Sequence, residues 1–465
     1  MSAPADISTS QSRPAEGLAE SLAAPGTDLP EQIGKYRVLR RLGEGATSDV
    51  FLAVDDFRNQ EVAIKRMRSW MGQGAEEDTL SRRFFASEAA LAGRLQHPNV
   101  VQILDAVQDG DAPYLVMEYV HGVTLKHFCR TDRLLPLDQI VELGFKCAMA
   151  LSYVFRQGVV HRDIKPANLL AVLDSTGQVT DVKVSDFGSA LNLHADMTQV
   201  HRVGSLAYMP PEQIEGGDVG CQADIYSLGA VLYHMICGRP PFDAPNQMAL
   251  MHQIYHQTPQ PMQGQRGGVT EALDAVILKA LAKHPHERHA DWEAFGQALS
   301  ELVARQLVPL ARLNEVKDSE RFNLLRGLEF FANFGDVELW EVVRRARWRR
   351  YPLDYLLFKR GQEGNTFHII AQGEVEVWRD GALVATLGTG TSVGEMAYLA
   401  PNPELRRHST DIRVTDMCTT VSFTPESLGQ LSPECQHRFD RAFIQVLVRR
   451  LHLAHEALAH PRRIM

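Results

Sequence analysis

The sequence predicts an α+β chain in which a strand-rich lobe is followed by a helix-rich lobe and then by a small β-roll, jelly-roll-like, with flanking helices. Three observations predict it. Residues 36–120 carry short alternating apolar runs, "YRVLRRL", "DVFLAVD", "VAIKRM", "VVQILDAV" and "PYLVMEYV", the period of half-buried strands. From about 135 to 305 the apolar residues recur at three-to-four spacing, as in "DQIVELGFKCAMALSYVFRQG", "IYSLGAVLYHMICG" and "TEALDAVILKALAKH", which is the period of helices. Past residue 320 the alternation returns in "YLLFKRG", "TFHIIAQGEVEVWRDGALVATLG" and "CTTVSFTP", punctuated by turn signals at Asp380-Gly381 and Gly388.

Taken in order, residues 1–33 are rich in Ser, Pro, Ala and acidic residues and are expected to lack structure. Residues 34–305 form the two-lobed unit, divided at 120/121, with one helix, "SRRFFASEAALAGRL", inside the first lobe. Residues 306–320 read as a linker helix and 321–460 as the β-roll unit. The basic run "VVRRARWRRY" (342–351) reads as the solvated face of a helix entering the roll. The chain ends in an amphipathic helix, "HRFDRAFIQVLVRRLHLAHEALA", a surface on which a homodimer could form.

Composition narrows the function. The 465 residues carry a formal charge of −9, which argues against a nucleic-acid partner. The six cysteines include no C-x-x-C pair, so neither a zinc knuckle nor a redox pair is expected. No run of 18 apolar residues and no basic-then-apolar leader is present, so a cytoplasmic chain without a membrane partner is expected.

The chemistry concentrates in a few places. "LGEGATSDVFLAV" puts Gly43 and Gly45 between two strands, where backbone N–H groups can approach phosphates. "VAIK" puts Lys65 on a strand, and "SEAAL" puts Glu88 on the helix. In "VVHRDIKPANLL", His161, Arg162, Asp163, Lys165 and Asn168 lie within eight residues. A carboxylate, an ammonium and an amide in one loop suit phosphoryl transfer: one positions a hydroxyl, one neutralises a moving phosphate, one holds a metal. "VKVSDFGSA" adds Asp186 just past a strand, where a carboxylate can ligate Mg²⁺.

With "HPNVV", "MEYV", "GSLAYMPPEQ", "ADIYSLG" and "HERHADWEAF" following in order, residues 36–302 resemble the eukaryotic-type (Hanks-type) Ser/Thr protein kinases, in a bacterial-looking form. The resemblance implies a bilobal protein kinase fold that uses ATP and Mg²⁺ and phosphorylates protein substrates. It implies that Lys65 pairs with Glu88 and the α- and β-phosphates, that Asp163 orients the substrate hydroxyl and takes its proton, and that Lys165 steadies the γ-phosphate. Asn168 and Asp186 would hold the metal. Gly43, Gly45, Val50 and Ala63 would enclose the nucleotide, Met117 would be the gatekeeper, and Glu118 and Val120 would present the hinge to adenine. Glu212 would pair with Arg288, and Asp224 would brace the catalytic loop. Thr198 is the candidate phosphosite, and Ser205 would sit near Asp163.

The C-terminal stretch "SVGEMAYLAPNPELRRHST" (392–410) has the parts a cyclic nucleotide needs: a carboxylate for the ribose hydroxyl, a guanidinium for the phosphate, and backbone donors at a helix start. Residues 321–458 resemble the cyclic nucleotide-binding domain of cAMP-dependent kinase regulatory subunits and catabolite-activator-type regulators. This implies a site for cAMP or cGMP built from Gly394, Glu395, Met396, Arg407 and Thr410, with Met396 and Ala397 opening the short helix. The sequence departs from the family in its longer spacer with Pro401 and Pro403, in His408, and in Asp411 near the phosphate. Arg406 is an alternative to Arg407. The functional expectation is a Ser/Thr kinase regulated by a cyclic nucleotide or another signal. The alternatives are a constitutive kinase whose roll is a ligand-free docking module, or a kinase-fold scaffold.

Overall fold

The computed structural model describes residues 29–459 apart from 46–47, 69–84, 87, 109–111, 188–205, 218, 312–315, 401 and 403–404. Thr198, Ser205 and residues 1–28 therefore lie outside the described residues. Of the N-terminal segment expected to lack structure, Gln32–Ile33 forms a strand, β1.

The alternating runs of the first lobe build one antiparallel sheet. Its strands are β1, β2 (Tyr36–Glu44), β3 (Ser48–Asp55), β4 (Gln60–Met67), β5 (Ile103–Val107) and β6 (Tyr114–Glu118), in the order β1-β2-β3-β4-β6-β5. Strand alternation separates its two faces. One face packs Phe51, Ala53, Val62, Ile64 and Val116 under Ile33 and Tyr36. The register pairs Val50 with Lys65, Leu52 with Ala63, and Ala63 with Met117, so these side chains share the other face, toward the second lobe.

The second lobe opens with β7 (Gly122–Thr124) and α1 (Leu137–Arg156), then β8 (Leu169–Leu173) and β9 (Val179–Val184). Then come α2 (Pro211–Ile214), α3 (Cys221–Cys237), α4 (Gln247–His256), α5 (Glu271–Ala280) and α6 (Trp292–Ala304). Helix starts follow the capping rule: Asn246, Thr270 and Asp291 each accept a backbone N–H of the first turn of α4, α5 and α6. Among the described residues no helix is long and apolar enough to cross a membrane.

The segment 306–320, expected to be a helix, is helical only from Asp318 among the described residues. Pro309 keeps the helix that ends at Ala304 from running through the segment, because a helix interior cannot accept its ring or its missing N–H. Helix α7 (Asp318–Gly327) and α8 (Asp336–Arg345) lead into the roll. The basic run is half helix and half strand: α8 stops at Arg345, and Arg347–Tyr351 is β10. The roll continues with β11 (Leu356–Phe358), β12 (Phe367–Gln372), β13 (Glu374–Arg379), β14 (Ala382–Gly388) and β15 (Ser392–Val393). It closes with α9 (Glu395–Tyr398), β16 (Asp411–Val414), β17 (Cys418–Phe423), α10 (Pro425–Gly429) and α11 (Pro433–Ala459). Two antiparallel four-stranded sheets, β10-β17-β12-β15 and β11-β16-β13-β14, make a sandwich-like body around Tyr351, Phe358, Ile370, Val375, Ile412 and Val414.

The hydrophobic core does not stop at the boundary between the units. Trp340 of α8 is fully buried, with its ring 4.8 Å from Phe322 of α7 and 6.2 Å from Phe145 of α1. The same cluster runs on to Phe331, Phe367, Phe423 and Phe439, which seat α11 against the roll. Trp340→Ala should therefore lower the stability of both units together, by about 3–5 kcal/mol. Chemical denaturation of the variant should show one transition at lower denaturant; a kinase-lobe transition left in place while only the roll weakens would contradict a shared core.

Candidate active site and the C-terminal pocket

Lys65 projects from β4 toward the second lobe. Its Nζ donates to Glu88 Oε2 at 2.8 Å and to Asp186 Oδ1 at 2.7 Å. Burial alone would lower the Lys65 pKa, but the Asp186 and Glu88 carboxylates outweigh it and hold the amine above the usual lysine range. Burial likewise would lift Asp186, yet the Lys65 ammonium, with Lys165 behind it, pulls that carboxyl down to about 2. For Glu88, burial wins and its pKa rises. Asp186 keeps 41% of its side chain exposed toward the cleft, where Glu88 keeps 1%.

A second cluster is made by the loop between α1 and β8. Lys165 Nζ donates to Asp163 Oδ2 at 2.7 Å. Asn168 Nδ2 donates to the same oxygen at 3.0 Å and to the Asp163 carbonyl at 2.8 Å, which turns its amide oxygen the other way. The loop is pinned from below, because buried Asp224 of α3 accepts the N–H groups of His161 (2.7 Å) and Arg162 (2.8 Å). Such pinning holds Arg162 in the left-handed region at φ 65°, and Asp186 sits there too at φ 66°. The clusters are joined by Ser185, whose N–H and hydroxyl both donate to the Asn168 carbonyl at 2.9 Å. Gly45 N–H donates to the Ser48 carbonyl at 2.8 Å and closes the hairpin that also carries Gly43 opposite Val50. Val120 lies just past the end of β6, beyond Glu118, whose carboxylate is held by Lys183 at 2.8 Å. Farther off, Glu212 and Arg288 form a bidentate pair at 2.6 and 2.8 Å.

The C-terminal stretch folds differently from the arrangement a cyclic nucleotide needs. Gly394, at φ 84°, caps α9, and α9 starts at Glu395 rather than at Met396, whose side chain is exposed. Glu395 is buried, and Arg450 of α11 donates to its Oε1 and to the Ser392 carbonyl. Burial raises the Glu395 pKa against the pull of Arg450. Arg407 is exposed and donates to the Gly361 carbonyl at 2.8 Å. Its neighbour His408 faces inward: the imidazole stacks on Phe358 with centroids 4.0 Å apart, and a Cβ on Gly364 would meet it at 2.5 Å. Thr410 is half-buried just before β16. As arranged here these residues do not fit a cyclic phosphate, because the carboxylate is already paired, the guanidinium points outward and an imidazole points in.

A family model for the protein kinase domain matches residues 36–303. The chain belongs to the protein kinase family. A second model, the cyclic nucleotide-binding domain, matches residues 348–434. The kinase part is 36% identical over 271 residues to a serine/threonine-protein kinase PknB of Mycobacterium leprae, covering 57% of this chain and 42% of that protein. It is 38% identical over 264 residues to a PknB of Mycolicibacterium smegmatis, covering 55% and 41%. To the serine/threonine-protein kinase PrkC of Bacillus subtilis it is 37% identical over 260 residues, covering 55% and 38%. The chain thus matches about two-fifths of the length of these relatives.

Sequence reasoning missed the kinase residues that meet the segment 311–319 and α8: Asp138, Glu142 and Lys146 for the first, Asn99 and Asp181 for the second. A signal was present in "VELGFKCAMAL", where Glu142 and Lys146 interrupt an apolar helix one turn apart. The site also predicts a pH response. Burial pushes His97 down to about 3, aided by Arg344, Lys183 and Arg156, and pushes His368 down to about 4, aided by His408 and Arg349. Both are neutral when folded and titrate near 6.5 when unfolded, so their contribution is full above 6.5 and is lost as pH falls below it. Each should cost about 1.4 kcal/mol per pH unit in that window. Denaturant melts at pH 7, 6 and 5 should show falling midpoints, and a flat profile would contradict the neutral buried rings.

Proposed function

We propose that the protein is a cytoplasmic Ser/Thr protein kinase that moves the γ-phosphate of ATP onto protein hydroxyls, under the control of its C-terminal unit. The observation that carries the reading is the pair of joined clusters: Lys65 between Glu88 and Asp186, and Asp163 between Lys165 and Asn168. The donor set suits Mg²⁺, since a part-exposed Asp186 carboxylate and the turned-out Asn168 amide oxygen are hard oxygen ligands. Bound there, the ion would neutralise charge on the transferring phosphoryl group. Lys65 serves the non-transferred phosphates, and its tether to Glu88 fixes its reach. Asp163 takes the proton of the acceptor hydroxyl, while Lys165 offers positive charge beside the moving group. The face carrying Val50 and Ala63 supplies an apolar surface for the base.

Incubating the chain with labelled ATP, Mg²⁺ and a protein acceptor tests this. Label should appear on Ser or Thr, and Asp163→Asn should slow it by about 10²–10⁴-fold. No label from the wild type would return the kinase fold to a scaffold role, and an Asp163→Asn variant as fast as the wild type would take the proton-accepting role from Asp163.

The control exerted by the roll has two readings. A cyclic nucleotide taken up at Glu395 must displace Arg450, whereas a ligand-free roll would act through its surfaces alone. The Glu395–Arg450 pair and the inward His408 favour the second. Calorimetric titration with cAMP and cGMP separates them. Heat that strengthens in Arg450→Ala supports nucleotide control, and no heat from either protein supports a docking module. Helix α11 also leaves Ile444, Leu447, Val448 and Leu451 exposed at helical spacing, the surface on which a homodimer would form.

A further inference from the structure

We infer that Arg344, supplied by the C-terminal unit, is a positioning residue for phosphoryl transfer. The inference rests on the kinase reading above. Arg344 stands in the last turn of α8, and its Nη2 donates to Asp181 Oδ2 at 2.6 Å and to Asn99 Oδ1 at 3.4 Å.

Both acceptors belong to the kinase lobes, and both act on β9. Asp181 lies on that strand. Asn99 is fully buried, and its Nδ2 donates to Asp181 Oδ1 and to the Val182 carbonyl, each at 2.7 Å. The Asn99 carbonyl accepts Val184 N–H at 2.8 Å, and Val101 N–H donates back to the Val184 carbonyl at 2.8 Å. Asn99 thus fastens β9 at three points, and Arg344 holds Asn99 and Asp181 in one fork. Two residues beyond Val184 the same strand delivers Asp186 to Lys65, in a left-handed conformation that its surroundings must enforce.

The preceding turn of α8 ties this fork to the roll. Glu341, one turn before Arg344, accepts the N–H and hydroxyl of Ser432 at 2.7 Å each, at the start of α11. One helix therefore carries a roll contact and a catalytic-strand contact a turn apart. Lys146 also approaches Asp181, at 3.4 Å, but from within the kinase lobe. Loss of Arg344 consequently leaves Asp181 charged and paired, so the lobe keeps its fold while β9 loses its outer restraint.

The test is made on the full chain. Arg344→Ala should lower kcat by about tenfold and raise the Mg²⁺ concentration needed for half-maximal rate, because the displaced group is a metal ligand. Arg344→Lys, which keeps the charge at Asp181, should recover most of the rate. Asp181→Asn should lower the rate as Arg344→Ala does, and the Arg344→Ala/Asp181→Asn double variant should be no worse than either single one. Arg345→Ala, whose side chain meets Gln430 on the roll, is the control and should match the wild type. Amide exchange reads the fork without activity: Val182, Val184 and Ser185 should exchange about tenfold faster in Arg344→Ala. An inactive wild type would remove the kinase reading, and exchange would still decide whether Arg344 fixes the strand. Unchanged exchange, or a rate and Mg²⁺ dependence within twofold of wild type, would overturn the inference.

Discussion

Three buried polar side chains on one face of α1 constrain the whole molecule. Asp138, Glu142 and Lys146 are spaced at successive turns and are 0%, 8% and 3% exposed. Partners for all three come from residues 311–319. Lys317 lies 3.1 Å from Asp138, which also accepts Ala311 N–H; Ser319 donates its N–H (2.9 Å) and hydroxyl to Glu142; Asp318 receives Lys146 at 2.8 Å. Burial raises the Glu142 pKa, while Asp181, Asp318 and Glu142 together hold Lys146 up against its own burial. Stripping partners from buried charges costs about 3–5 kcal/mol each. The kinase lobe has accordingly been built to be covered.

That cover extends to the chemistry. Helix α1 packs against β9, the strand that leads to Asp186, and Lys146 on α1 reaches both Asp181 of β9 and Asp318 of α7. The roll is in turn fastened to α8 by Glu341 and closed on itself by Arg450 at Glu395. A signal that moved α11 would reach the kinase through packed elements and paired charges, and each of its ends would need to favour one arrangement over the other. The inward His408 packs on Phe358 and against Gly364 in the interior of the roll.

Local chemistry was legible in the sequence, and long-range pairing was legible only in part. The catalytic loop could be read directly because its five polar residues sit within one short stretch, so their proximity is covalent. The strands could be read because alternation along 36–120 and again past 350 survives burial of one face. The Lys65, Glu88 and Asp186 contact joins residues 23 and 121 positions apart; the family resemblance paired Lys65 with Glu88 beforehand but gave Asp186 to the metal, not to Lys65. Nothing of that kind announced Arg344 with Asp181, 163 positions apart, or Arg450 with Glu395. The C-terminal pocket turned on a single register step: on an extended segment Arg407 and His408 face opposite ways, and a spacer of unusual length hides which one points in. The linker reads as helix in the sequence, whereas its described residues are helical only from Asp318.

The most direct measurement compares phosphate transfer by the full chain with transfer by a chain ending at residue 305, under the same ATP, Mg²⁺ and acceptor. The account predicts an active full chain and a shortened chain that is at least about tenfold slower or unstable, since Asp138 and Glu142 lose their partners, Lys146 loses Asp318 and Asp181 loses Arg344. A shortened chain as stable and as fast as the whole would contradict it.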